Sequence, residues 1–298
     1  MDQSSKNIIE LIHLSKYYGR SRGIEDISLA VQQGDIFGFI GPNGAGKSTT
    51  IRILLNLIFP SSGSARIMDM DVVRDSRKIR NRIGYVPSDA NLYDKMRVHE
   101  FLKFGSAFYG LKNGEETIRE LSELFDLDLE RKIPELSMGN KKKVSIIQAL
   151  VHHPDLLILD EPTTGLDPLI QSRFFELLHE ENKKGTTIFF SSHVLSEVQA
   201  LCKTVAIIKD GRIIKTEEIA SLRKKQLKKI RIGFKDPRNI RDLSIDAVES
   251  VQTDSGKILE FMFSGDINKL VQKLSSENIE TLTIEEPQLE EIFLHYYK

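Results

Sequence analysis

The segment Gly41-Pro42-Asn43-Gly44-Ala45-Gly46-Lys47-Ser48 has the spacing G-x-x-x-x-G-K-[ST], and that spacing commits a chain to one local geometry. A buried strand runs in, glycines turn the backbone sharply, and a helix starts at the lysine. The flanks agree. Ile36-Phe37-Gly38-Phe39-Ile40 is an apolar run of the length of a buried parallel strand, and Thr49 to Phe59 carries Ile51, Leu54, Leu55 and Ile58 at helical spacing. Glycine lets the loop aim its N–H groups inward, and the helix N-terminus adds partial positive charge beneath them. The product is a cradle for phosphate groups, with Asn43, Gly44, Gly46, Lys47, Ser48 and Thr49 as the expected contacts. Lys47 is placed to reach the β- and γ-phosphates of a nucleotide, and the Ser48 hydroxyl to ligate magnesium.

The rest of the chain is compatible with a nucleotide-binding core and a smaller companion. Its 298 residues suffice for one large domain and one small one. A net charge of −1 exerts no global pull on nucleic acid or on a membrane surface. With Cys202 as its single cysteine the chain forms no internal disulfide, which suits a reducing cytosol. Met1 to Lys6 lacks the apolar core of a secretion signal, and no run of 18 apolar residues occurs. Work at a membrane would therefore require another chain to cross it.

Taken in order, Ile8 to Tyr17 and Ile27 to Val31 alternate apolar and polar residues as an antiparallel ribbon does. Tyr18 stands just before Gly19, where a ring can stack on an adenine. Ser64 to Met68 and Ile83 to Val86 read as further strands. From Val98 to His153 the periodicity is helical, with Phe101, Leu102, Phe104 and Phe108 on one predicted face. Strands return at Leu156–Leu159, Thr186–Phe190 and Val205–Ile208, the last leading into the hairpin signal Asp210-Gly211. Between Ser221 and Arg241 nine Lys or Arg face one acid, Asp236, which reads as a linker, its basic stretch Arg223–Lys229 as a solvated helix. Beyond it, strands at Ile230–Phe234, Ser250–Thr253, Ile258–Phe263 and Thr281–Ile284, with helices at Asp266–Leu274 and around Leu289, Ile292, Phe293 and Tyr296, approximate β-α-β-β-α-β.

Two polar clusters close apolar strands, where ligands gather in open α/β sheets. Asp160, after Leu156–Leu159, is the expected acid that holds magnesium through water, and Glu161 beside it is the candidate base for the attacking water. His193, in Ser191-Ser192-His193-Val194, is placed to donate to a γ-phosphate.

With these motifs together, Ile8 to Thr216 resembles the ATP-binding subunit of an ABC transporter. The phosphate loop is joined by Leu136-Ser137-Met138-Gly139-Asn140, Leu156 to Pro162, Gly165-Leu166-Asp167-Pro168 and Ser191 to His193, in the family's order. The resemblance implies ATP and magnesium as cofactors, and a head-to-tail dimer of this chain with itself or with a related ATPase. Each ATP would lie between the phosphate loop of one subunit and Ser137 and Gly139 of the other, with Asp167 at the contact and Tyr18 on the adenine. It also implies a separate membrane-spanning permease, and a site on the cytoplasmic face of the membrane. No nucleic acid is expected as partner. The alternative that the basic stretch Arg223–Lys229 keeps open is a non-transport ATPase of this kind acting on nucleic acid or the ribosome, and a further one is a regulatory ATP sensor.

The implied fold is an α/β P-loop ATPase core over residues 1–220. It combines a parallel sheet with an antiparallel ribbon and a helical subdomain at about 88–153. Residues 221–298 would form a small α+β ferredoxin-like domain. Two departures stand out. Met138 and Asn140 replace the third and fifth residues of the family's Leu-Ser-Gly-Gly-Gln, and Ser88 stands where a glutamine usually meets magnesium. Ile83–Ser88, Met138–Lys143, Ser192–Val198 and the tail Glu286–Leu294 further resemble type-2 exporter ATPases of bacterial drug-resistance systems.

Overall fold

A computed structural model of the protein describes residues 6–90, 92–93, 95–111, 114–224, 227–237, 247–253, 257–275 and 277–285. The chain divides into two compact units, Met1–Glu218 and Ile219–Lys298.

The first unit contains two sheets. In the antiparallel one, β1 (Asn7–Tyr18) pairs with β2 (Ser21–Gln32) on one side and β4 (Ser62–Ile67) on the other, and β5 (Met70–Asp71) follows β4. β1 and β2 are longer than alternation alone predicts. The register slips between Leu11 and Leu14, where His13 takes a φ of 48°, so the apolar period breaks while backbone pairing continues.

The other sheet has six strands in the order β10-β9-β3-β8-β7-β6. β3 (Ile36–Ile40), β6 (Ile83–Val86), β7 (Leu156–Asp160), β8 (Thr187–Ser192) and β9 (Thr204–Lys209) are parallel, and β10 (Arg212–Glu218) closes the edge antiparallel. β3, β7 and β8 are buried at every position, which is why Ile36–Ile40, Leu156–Leu159 and Ile188–Phe190 read as unbroken apolar runs. The phosphate-loop helix α1 (Lys47–Leu54) shares one core with both sheets. Ile51, Ile53 and Leu54 join Ile24, Phe37, Phe39, Ile158 and Phe189 there. The Phe189 ring lies 5.9 Å from Phe37 and 5.4 Å from Phe39 between centroids. Each such buried ring contributes about 2–3 kcal/mol through removal of apolar surface from water.

α1 stops well short of the predicted Phe59. Asn56 takes a left-handed φ of 52°, the usual way to end a helix, and Leu57 and Phe59 are exposed. After α2 (Ser76–Arg80) come α3 (Val98–Ala107), α4 (Gly114–Leu124) and α5 (Met138–Leu150), which pack on one another. Phe101, Leu102, Ile118, Val144 and Ile147 are buried. Phe104 and Phe108 depart from the expected face: both are exposed and stack edge-on with each other, and Phe104 with Tyr93. α6 (Pro168–Lys183) and α7 (Leu195–Leu201) complete the unit.

In the second unit, α8 (Ile219–Lys224) precedes β11 (Leu227–Phe234), β12 (Ala247–Thr253), β13 (Ile258–Ser264), α9 (Ile267–Leu274) and β14 (Ile279–Glu285). The sheet is antiparallel in the order β12-β13-β11-β14, the ferredoxin-like order. Ile230, Ile232, Phe234, Leu259, Phe261 and Phe263 form its core with Leu270 and Leu274 of α9, whose N-terminus is capped by Asp266. The expected helix through Arg223–Lys229 is corrected in its second half: Arg223 and Lys224 end α8, but Lys228 and Lys229 belong to β11, and Lys229 pairs with Glu260 at 3.0 Å. The amphipathic helix expected around Leu289, Ile292, Phe293 and Tyr296, and the tail Glu286–Leu294, lie outside the described residues. Among the described residues no helix is long and apolar enough to cross a membrane.

Candidate nucleotide site

The phosphate loop leaves the carboxyl end of β3 between the two neighbouring strands of a sheet whose order reverses there, the usual crevice for ligands. Its glycines answer to geometry. Gly46 has a φ of 110°, and an added Cβ would stand 2.6 Å from the Ile24 side chain; at Gly41 it would stand 2.3 Å from the Ile208 carbonyl oxygen. The turn between β9 and β10 pins the loop from outside. Gly211 N–H donates to the Ala45 carbonyl at 2.9 Å, and the Gly211 carbonyl accepts from Glu25 N–H at 2.8 Å.

A cavity of about 310 Å³ opens above the loop, lined by Tyr18, Arg22, Gly23, Asn43, Gly44, Gly46, Lys47, Ser48, Thr49 and Glu161. All six phosphate-loop positions expected from the sequence thus face one space, with Tyr18 at its rim. The backbone cradle, a lysine and a half-exposed ring fit a nucleotide with its phosphates down. Arg22 adds a second cation that no motif announced. The Lys47 ammonium is buried and donates to the Gly41 carbonyl at 2.7 Å and the Pro42 carbonyl at 3.2 Å.

Opposite the loop, Asp160 ends β7 fully buried, and its carboxylate accepts a 2.7 Å hydrogen bond from Ser191 Oγ on β8. Burial, with the Asp160 charge beside it, pushes the neighbouring Tyr85 hydroxyl up to about 12, so it stays protonated. Glu161 adopts a left-handed φ of 47°, a conformation that costs a non-glycine residue about 1–2 kcal/mol. Its N–H donates to the Ser191 carbonyl at 3.2 Å. Its carboxylate spans the site, with one oxygen 3.3 Å from Lys47 Nζ and the other 3.2 Å from His193 Nδ1. Lys47, Glu161 and His193, from three separate strand ends, therefore meet through one carboxylate.

The remaining predicted positions lie elsewhere on the same chain. Ser137 caps α5, its Oγ accepting from Asn140 N–H at 3.3 Å. Gly139 is pressed against the Gly165 carbonyl, which an added Cβ would approach to 2.4 Å. Asp167 caps α6, accepting from Ile170 N–H at 3.0 Å. None of these three lines the cavity with Lys47. Ser88 contributes its carbonyl, which accepts from Lys142 Nζ at 2.6 Å. Besides Arg22, sequence motifs did not single out Ser191 and Lys142. Their partners are 31 and 54 residues away, so only the fold shows them.

Comparison with known proteins shows the family. The ABC transporter family model matches residues 24–164. The chain is 34% identical over 295 residues to the bacitracin transport ATP-binding protein BcrA of Bacillus licheniformis, covering 96% of each chain. It is 32% identical over 303 residues to the linearmycin resistance ATP-binding protein LnrL of Bacillus subtilis, covering 97% of each. Among solved structures it superimposes on a dimeric ATP-binding cassette in a post-hydrolysis state, bound to ADP and Pi. The TM-score is 0.65 at 25% identity, over 71% of this chain and 98% of that one.

Proposed function

From the premise that the chain belongs to the ABC transporter family, as an ATP-binding, ATP-hydrolysing subunit, we propose that it powers export through a separate membrane-spanning permease by closing as a dimer around ATP. The observation that carries this is the convergence of Lys47, Glu161 and His193 above a glycine loop that faces a nucleotide-sized cavity. Nucleotide phosphates would lie on the loop from Asn43 to Thr49, with the adenine against Tyr18. Ser48 and Asp160 would hold magnesium, Ser88 at most through water. Magnesium, when bound, supplies charge neutralisation at the β- and γ-oxygens.

The residues divide the remaining work. Lys47 would trade its Glu161 contact for phosphate oxygens. Glu161, released from that pair, would accept a proton from the attacking water, and His193 would donate to the γ-phosphate side of the site. Ser137, Gly139 and Asp167 are absent from the chain's own cavity, which supports their use against a second subunit's nucleotide. The N-terminus of α5 at Ser137 would add its dipole there. The resistance and transport functions named for LnrL and BcrA favour a small toxic molecule as cargo. A cleft of about 410 Å³ beside the Pro87-Ser88 loop, lined by Leu55, Leu57, Tyr85 and Leu92 together with Arg80, Gln148 and His152, offers the permease a seat of mixed polarity.

The test is co-purification of tagged Glu161→Gln protein with ATP from mildly solubilised cells. A multi-spanning membrane protein is expected to accompany it. Ribosomes or DNA in its place would overturn the export reading.

A further inference from the structure

Lys142 lies in the second turn of α5 with its side chain 1% exposed, an unusual setting for a lysine. Its ammonium donates to the carbonyls of Ser88 at 2.6 Å, Pro87 at 2.8 Å and Glu161 at 3.3 Å. Three acceptors match three N–H donors, so the buried charge has its full hydrogen-bond complement. Burial pulls its affinity for the proton down, and the nearby charges of Asp89, Asp160 and Glu161 work against that loss.

The three carbonyls belong to segments far apart in sequence. Pro87 and Ser88 form the loop after β6, and Glu161 follows β7 in its left-handed turn. A strained turn of this kind persists only where its surroundings over-determine it. Ser191 takes the Glu161 N–H on one side of that residue, and Lys142 grips its carbonyl on the other. The peptide that aims the Glu161 carboxylate is thus clamped from both ends. Ser88 itself adds only a carbonyl to this linkage.

We propose that Lys142 is a positioning residue for Glu161: its ammonium holds the Glu161 turn in the orientation that sends the carboxylate between Lys47 and His193, and ties that turn to the Pro87-Ser88 loop. The inference rests on the proposed role of Glu161. It gives α5 two tasks, since the helix is capped by Ser137 and then reaches back through Lys142 to the backbone carbonyl of its own chain's Glu161. A shift of the Pro87-Ser88 loop would pass to Glu161 through one side chain.

The experiment is steady-state ATP hydrolysis by the full chain, with ADP affinity measured alongside. Lys142→Met is expected to lower kcat at least tenfold, with KM for ATP and Kd for ADP no more than twofold above wild type, because Lys142 does not line the cavity. Lys142→Arg, which keeps a cation and its donors, is expected to return kcat to within about fivefold. If Lys142→Met does not fold, Lys142→Gln replaces it, with a loss of at least threefold in kcat expected and the same Arg comparison. Wild-type kcat in the Met or Gln variant overturns the proposal. So does a loss confined to KM, or an equal loss in the Arg variant. Glu161→Gln separates this inference from its premise. Wild-type turnover in that variant removes the base assignment and the Lys142 role with it. Lost turnover there beside unchanged turnover in Lys142→Met removes only the Lys142 role.

Discussion

Replacing Glu161 with glutamine should separate two functions that one carboxylate combines. That carboxylate sits 3.3 Å from the Lys47 ammonium, with the lysine 4% and the glutamate 21% exposed. At this distance and an effective dielectric of about 20 the two charges attract by about 5 kcal/mol before desolvation is subtracted. Desolvation of both ions removes most of that, leaving about 1–1.5 kcal/mol that an incoming phosphate must displace. Glu161→Gln abolishes the charge and keeps the shape, so Kd for ADP should fall about five- to tenfold. ATP turnover should move the opposite way and drop about 100-fold or more, as when one transition-state contact is lost. Calorimetric titration with ADP and a phosphate-release assay on the same preparations read both. ADP binding that is unchanged or weaker would refute the competition between carboxylate and phosphate. Turnover near wild type would refute the assignment of Glu161 as base.

Two further substitutions test other parts of the site. Gly139→Ala places a methyl 2.4 Å from the Gly165 carbonyl and must push the two loops apart. ATP-dependent dimerisation and turnover should fall at least tenfold by sedimentation and phosphate release, with ADP affinity of the single chain unchanged, because Gly139 lies outside the Lys47 cavity. His152 stacks on Tyr109 at 3.8 Å between centroids and donates from Nε2 to the Ile83 carbonyl at 3.1 Å, leaving Nδ1 buried with no hydrogen-bond partner among the described residues. Burial holds its pKa below the usual 6.5. The unfolded chain therefore takes up this proton first, and stability falls as pH drops below about 6.5 until the folded value is reached. His152→Phe should flatten the loss of stability between pH 7.5 and 5.5 in urea unfolding; an unchanged slope would contradict the assignment.

Much of the α/β core could be read from sequence because its central strands are enclosed on both faces. Leu156–Asp160 and Thr187–Ser192 have neighbours on each side and each edge, so almost every position but the strand ends must be apolar and the run is self-evident. Local periodicity was less informative at surfaces. Nothing in the spacing of Ile58 told that Asn56 would turn left-handed and end α1, and Phe104 and Phe108 kept helical spacing while pointing to solvent. The phosphate loop could be read because its glycines, lysine and serine act within eight residues. Ser191 and Lys142 could not, because a hydroxyl on a neighbouring strand or an ammonium from a distant helix acquires its meaning only when the sheet is assembled. Basic residues between Arg223 and Lys229 mislead in another way: charge suggests a solvated helix, although a strand whose Ile230, Ile232 and Phe234 are buried accepts Lys229 and Arg231 on the opposite face.

The Asp210-Gly211 turn has the outline of a two-residue hairpin, with φ values of 47° and 73°. Reversals of this kind are usually where a chain tolerates an epitope tag, a circular permutation or a protease nick. Here the amide and the carbonyl of Gly211 are both engaged, by Ala45 and Glu25. Opening the chain at this point would unfasten the phosphate loop, whereas opening it at Gly185, where an added Cβ meets nothing within 4 Å, leaves that loop tied. The same linkage runs in reverse: nucleotide seated on the loop would shield the Asp210–Gly211 peptide bond from cleavage, making limited proteolysis at this turn a gauge of occupancy.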